Sequence, residues 1–209
     1  MKHLFASILM AMLLWSCDTE KDNTSPLPSA PILAPEGVEA VDLGLSVKWA
    51  SCNIGASSPE SYGDYFAWGE VASKESYTFG NSKTYGKSFA DISGNKEYDA
   101  AAQIWEHGWR LPTAVECQEL LDNCTWRWTT HKGVNGMLVT AANGNSIFLP
   151  AAGYRDGAST ITKGSYGGYW SSQPAPESDN FAGYIFFSEK NHGYDKSVRS
   201  MGLVIRPVI

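Results

Sequence analysis

The chain opens on a nearly unbroken apolar run from Leu4 to Trp15, preceded by Lys2 and closed by Ser16-Cys17. At about 12 residues the run is too short for a hydrocarbon core that needs roughly 20 helical residues, so it reads as a cleavable export signal over residues 1–16. From Asp18 to Ser25 every residue is polar, and Pro26, Pro28, Pro31 and Pro35 follow among small residues. That composition cannot build a core and predicts a solvated, semi-extended tether to about residue 37. At Val38 the pattern changes again: VEAVDLGLSVKWA alternates imperfectly and predicts two short strands joined near Gly44. A Gly- and Tyr-rich stretch from Asn53 to about Asn95 has no regular period, and Tyr62, Tyr65, Phe66 and Trp68 are expected to pin it to the core.

Two helices are predicted. The first has an Ala-rich centre between about Tyr98 and Glu106, with Gly108 placed to end it. The second begins after Pro112, where Thr113 and Glu116 have the spacing of a capping box, and buries Cys117, Leu120, Leu121 and Cys124. Beyond it TWRWTT reads as a strand, and Met137 to Leu149 as a hairpin turning at Asn143-Gly144. Tyr184 to Ser188 and Gly202 to Val208 add two more strands, and residues 38–209 are expected to form one domain.

With 43% hydrophobic and 18% charged residues the composition is that of an ordinary globular domain. The formal charge is −6, and one unit more negative once Lys2 leaves with the signal, which argues against nucleic acid or anionic headgroups as partners. Membrane attachment then falls to Cys17. Leu13-Leu14-Trp15-Ser16-Cys17 resembles the bacterial lipobox, whose cysteine carries a diacylglycerol and an N-acyl chain, enough for stable anchoring. The acidic residues after Cys17 resemble the export signals of Bacteroides-type lipoproteins, which implies an outer-membrane lipoprotein at the cell surface.

No G-x-S-x-G, H-E-x-x-H, Walker or dinucleotide motif is present, and His107, His131 and His192 lack metal-ligand spacing. No catalytic residue, metal or cofactor is therefore expected. An exported domain can oxidise its cysteines. Cys117 and Cys124 on one helix would be about 10.5 Å apart along its axis, beyond the roughly 7 Å that a bridge spans. Cys52 with Cys124 is the preferred disulfide, and three reduced, buried thiols are the alternative.

Five strings taken together resemble one family: VDLGLSVKWASCNIGASSPESYGDYFAWGE; YDAA with Trp105 and GWRLPT; NGNSIFLPAAGYR; GYWSS; and RSMGLVIRPV. They are similar to the Fibrobacter succinogenes major paralogous domain of Bacteroides-type lipoproteins, related to C-type lectins and the formylglycine-generating enzyme. The resemblance implies an α+β, C-type-lectin-like fold, two helices flanking small antiparallel sheets with extensive loops. It also implies that Trp109, Trp170 and Arg206 are scaffold. In relatives diversified by retroelements, the ligand-facing residues fall between the last two strings, here between Ser172 and Arg206. The late cysteine pair of the oxidase branch is absent, as are the calcium-lectin motifs E-P-N and W-N-D.

The expected function is a lipid-anchored surface module, without catalysis, that binds a protein or glycan through its C-terminal loops. A structural or adhesive envelope or fimbrial component is the alternative, and a degenerate enzyme the third reading. The stretch SEKNHGYDKSVRS is too polar to face a core throughout and is expected to be exposed. Tyr184 and Tyr194 would supply rigid amphipathic contact area, and Glu189, Asn191, His192, Asp195 and Arg199 adaptable hydrogen bonds, with Tyr166, Tyr169 and Gln173 extending the patch. On this reading, truncating Tyr194 with His192 removes binding and leaves thermal stability unchanged.

Overall fold

A computed structural model of the chain describes residues 35–209. The predicted signal, Cys17 and the tether as far as residue 34 lie outside the described residues.

The first two strands, β1 (Ala40–Val41) and β2 (Trp49–Ala50), pair antiparallel, as the alternation through Gly44 predicted. The long stretch after them stays irregular and is pinned by aromatic side chains. Trp68 is fully buried and its indole N–H donates to Ser171 O at 2.9 Å, while Tyr65 donates its hydroxyl to Ala152 O at 2.6 Å.

Helix α1 (Ala100–Ile104) is one short turn and a half, capped by Asp99, and α2 (Ala114–Asn123) starts at the Thr113–Glu116 capping box. Thr113 N–H donates to Glu116 Oε2 at 2.8 Å and Glu116 N–H to Thr113 Oγ1 at 3.3 Å, so two end donors are satisfied reciprocally. Arg110 clamps the same carboxylate at 2.8 and 2.5 Å. Of the predicted buried face, Cys117 and Leu120 are fully covered, whereas Leu121 and Cys124 are only half-buried.

Then strands take over. β3 (Cys124–His131), β4 (Val134–Ala141) and β5 (Ser146–Pro150) form a meander whose second hairpin turns through Asn143-Gly144 as expected. A small hairpin, β6 (Tyr154–Asp156) with β7 (Ser159–Ile161), precedes a second three-stranded sheet made of β8 (Tyr166–Pro174), β9 (Phe181–Ser188) and β10 (His192–Val198), in the order β10-β9-β8.

Strand accounts for 37% of the structure and helix for 10%, in four small antiparallel sheets. The expected α+β, C-type-lectin-like arrangement of two helices flanking the sheets is thereby corrected to a mostly-β body. The physical reason lies after Cys124, where segments rich in aromatic and β-branched residues, such as TWRWTT and YIFF, favour pleated strands over helix. The segment 202–208, predicted as a strand, is instead a buried strap. It makes single bridges to different partners: Gly202 to Arg155, Leu203 to Phe66, Val204 to Tyr169, and Val208 to both Trp49 and Arg110.

Two hydrophobic cores meet along β8 and this strap. Leu120, Val139, Leu149, Ile185 and Phe187 belong to one core, and Trp68, Trp105, Trp109 and Ile205 to the other. Alternation lets neighbours serve both: Tyr169 enters the first core and Trp170 the second, as do Val204 and Ile205. Trp109, Trp170 and Arg206 are each about 1% exposed, as scaffold residues must be.

Cys52, Cys117 and Cys124 are all free thiols, so the preferred Cys52–Cys124 bridge does not form. Cys124 is fixed opposite Ala141 in the β3–β4 ladder, while Cys52 is buried just past β2 and close enough to Arg206 to act on its charge.

Two phenols make the fold sensitive to alkali. Burial pushes Tyr65 and Tyr194 up to about 12 from an ordinary 10.0. The unfolded chain ionises first, so the stability these groups contribute is complete below about pH 10 and is lost as pH rises through about 12. Urea midpoints are expected to fall across that window. A flat midpoint there would show that neither phenol is coupled to folding.

Candidate functional site

Strand alternation sorts the β8-β9-β10 sheet into two faces. Tyr166 stands opposite Ser188, Gly168 opposite Phe186, and Trp170 opposite Tyr184; across the next ladder Phe186 meets Gly193 and Tyr184 meets Asp195. One face therefore carries Tyr166, Trp170, Tyr184, Phe186, Asp195 and Ser197. The other carries Tyr169, Ile185, Phe187, His192 and Tyr194 and is turned to the first core.

The first of these faces is covered at its β8 end by the second core and opens towards β9 and β10. Tyr184, Phe186 and Ser197 are half-buried there and Asp195 is exposed. A groove of about 210 Å³ lies on it, lined by Tyr154, Tyr166, Tyr184, Ser197, Met201 and Leu203. The Tyr154 and Tyr166 rings stand nearly perpendicular, at 82° with centroids 6.3 Å apart, and the Tyr166 and Tyr184 hydroxyls are 2.9 Å from each other. Gly168 leaves room for Leu203 in the groove wall. A Cβ there would sit 3.0 Å from Leu203 Cδ2 and 3.6 Å from the Tyr166 ring, so a larger residue would push the wall outward.

Burial raises the pKa of both Tyr166 and Tyr184, and the neighbouring Asp195 carboxylate acts in the same direction on each. Both phenols are therefore neutral at physiological pH. Asp195 itself accepts from Lys196 N–H at 2.8 Å, while the Lys196 ammonium pairs with Glu177. Its carboxylate has no cationic partner in an ion pair among the described residues.

Of the ten residues predicted to bind, the structure brings Tyr166, Tyr184 and Asp195 together at this groove and places the rest elsewhere. Glu189 and Asn191 are exposed at the β9–β10 turn, where Asn191 Oδ1 accepts from Ser188 Oγ at 2.5 Å. Gln173 lies towards the far end of β8 and donates to Asp91 at 3.1 Å. His192 is stacked on Trp126, with ring centroids 4.9 Å apart and planes at 9°.

Expected exposure is overturned for Tyr169 and Arg199, and Tyr194 is half-buried on the core side of the sheet. Tyr169 is 3% exposed and donates its hydroxyl to Pro150 O at 2.7 Å. Tyr194 packs against the first core, its hydroxyl 2.8 Å from Ser171 Oγ in a gap that only Gly183 leaves open. Arg199 is fully buried, donating to Phe181, Thr84 and Lys87 carbonyls and lying 4.4 Å over the Trp68 ring. Truncating Tyr194 with His192 thus disturbs the core side of the sheet and not the groove.

No protein-family model, curated protein or solved structure matches this chain.

The chemistry of the groove is accordingly read from its own residues. Tyr154, Ser197, Met201 and Leu203 were not predicted to contribute. Ser197 could have been found, because a period of two through Tyr194-Asp195-Lys196-Ser197 sets it beside Asp195; Tyr154 comes from a different sheet and carries no such signal.

A second opening of about 310 Å³ lies on the outer face of the β3-β4-β5 sheet, with Arg127, Thr129, His131, Leu138 and Phe148 in its lining. Burial pushes the Cys117 and Cys124 thiols up, so neither is an activated thiolate. Among the described residues no cluster of His, Cys, Asp or Glu could hold a metal, and no helix is long and apolar enough to cross a membrane.

Proposed function

We propose that this protein is a lipid-anchored surface module that binds its ligand, without catalysis, in the tyrosine groove of the C-terminal sheet. The observation that carries this reading is the cluster of half-buried Tyr154, Tyr166 and Tyr184 on the open sheet face. Phenol rings held by strands offer apolar area and a hydrogen-bonding edge at low entropic cost, the economy of antibody paratopes. The anchor assigned to Cys17, the polar tether and the acidic balance support presentation on the outer membrane facing solvent. The likeness of the five sequence strings to the Fibrobacter succinogenes major paralogous domain supports the same role, with a protein or glycan as ligand.

The test has two arms. Cys17→Ala is expected to move the protein from the membrane fraction to the soluble one. Tyr154→Ala with Tyr184→Ala is expected to weaken capture of arrayed glycans and envelope-derived peptides by about thirtyfold, since an aromatic hot spot contributes about 2 kcal/mol or more. The double variant should still melt in one cooperative transition. Undiminished capture by a folded double variant would place the site elsewhere on the domain, and a stoichiometric self-derived partner would favour an envelope-assembly component.

A further inference from the structure

The proposed binding role leaves open which chemical group the groove receives, and the groove's charge and shape bear on that choice. Its walls are the phenol rings of Tyr154, Tyr166 and Tyr184, the thioether of Met201 and the aliphatic side chain of Leu203, with Ser197 contributing one hydroxyl. That hydroxyl is already engaged, donating to Met201 Sδ at 3.6 Å, and the Tyr166 and Tyr184 hydroxyls are engaged with each other. A polyol would therefore find few free hydrogen-bonding groups. A volume of about 210 Å³ is also smaller than the ~300–1,000 Å³ of drug-sized sites, which fits one compact headgroup better than a chain.

Charge narrows the choice further. Asp195 is the cross-strand neighbour of Tyr184 on the groove's own face, a pairing that sets Cβ atoms about 4.5–5.5 Å apart. Its carboxylate pairs with no lysine, arginine or histidine among the described residues. No cationic side chain lines the groove, since Lys196 points to the opposite face and pairs with Glu177, while Arg155 donates to Glu75 and Ala158 carbonyls. The second opening is the reverse case, because Arg127 and His131 line it.

Perpendicular aromatic walls next to an unpaired carboxylate attract a cation through the ring quadrupoles and through direct charge, and they do so best when the cation is weakly hydrated. We infer that the tyrosine groove is a receptor for an alkylated ammonium group, as carried by a choline headgroup or a methylated lysine side chain. This inference rests on the binding role proposed above. The three rings and Met201 enclose the methyl groups, and Asp195 at the rim balances the charge.

The experiment titrates the intact lipoprotein, in a detergent without choline, with choline, with N-acetyl-trimethyl-lysine amide, with the uncharged choline isostere 3,3-dimethylbutanol and with glucose, following tyrosine and tryptophan fluorescence. Choline or the lysine derivative is expected to bind about tenfold more tightly than the isostere, and the tighter of the two names the source as headgroup or side chain. Asp195→Asn is expected to weaken the ammonium probes about fivefold and to leave the isostere unchanged; Asp195 is exposed, so this variant folds normally. Equal binding of choline and its isostere, or an unaltered ammonium affinity in Asp195→Asn, overturns the inference. Saturation by glucose alone, lost in Tyr184→Ala, also overturns it while leaving the binding role standing. Full array capture by the Tyr154→Ala, Tyr184→Ala protein sinks the binding role at this groove itself.

Discussion

Arg206→Met is expected to lower the free energy of unfolding by about 3 kcal/mol or more, the largest effect of any substitution outside the aromatic cores. Arg206 is 1% exposed, and its guanidinium holds together segments far apart in the chain. Nε donates to Asn53 Oδ1 at 2.8 Å, one terminal nitrogen to the Ala50 and Ser51 carbonyls at 3.0 and 2.6 Å, and the other to Phe148 O at 2.9 Å. Burial pulls its pKa down, opposed by Tyr169 and Cys52. Methionine would fill much of the volume but leave the buried carbonyls and the Asn53 amide oxygen without donors, each at a cost of about 1–3 kcal/mol. Arg206→Lys keeps the charge and loses the fork, so it should fall between wild type and methionine. Equilibrium urea unfolding measures this, and a loss below about 1 kcal/mol would mean that water replaces the guanidinium without strain.

Asp99→Ala is expected to cost nearly as much, about 3 kcal/mol, because a single carboxylate organises a whole turn. Asp99 is fully buried. Its Oδ1 accepts from Ala101 and Ala102 N–H at 2.9 and 3.1 Å, capping α1, and its Oδ2 accepts from Gly94 and Leu111 N–H at 2.8 and 2.9 Å, tying the preceding loop and the GWRLPT segment to the same point. Burial raises its pKa, and the four N–H donors work against that rise. Asp99→Asn can satisfy only the donors facing its one oxygen and turns its NH₂ on the others, so asparagine should rescue less than half of the loss. Thermal melts of the two variants distinguish the roles, and an asparagine variant as stable as wild type would reduce Asp99 to an ordinary helix cap.

How far these features could be read from sequence depends on how local their causes are. The α2 start was legible because Thr113 and Glu116 satisfy each other's backbone within four residues, and the β4–β5 turn because Asn143-Gly144 states its own geometry. The groove was not, because it depends on which face each residue of β10 takes. Read as an exposed polar loop, His192 to Arg199 becomes one patch. Folded as a strand, the same residues divide, with Tyr194 turned inward and Asp195 outward. Arg199 shows a second limit: its charge predicts exposure, yet backbone carbonyls from the irregular 84–87 segment and the Trp68 ring accept it in the interior, and no local pattern announces partners more than a hundred residues away. The overall fold class failed for a related reason. The α+β expectation rests on the resemblance of five separated strings, and the short strands that make the body mostly β have weak individual patterns.

The strap at 202–208 comes later in the chain than every segment it bridges, and both cores include its side chains. Neither core is complete without that strap, since Val204 and Val208 enter one and Leu203 and Ile205 the other. Contacts that span most of the sequence also make the search slow. Folding of this domain is therefore tied to the docking of one short strap, because without residues 202–208 both cores would lack a wall.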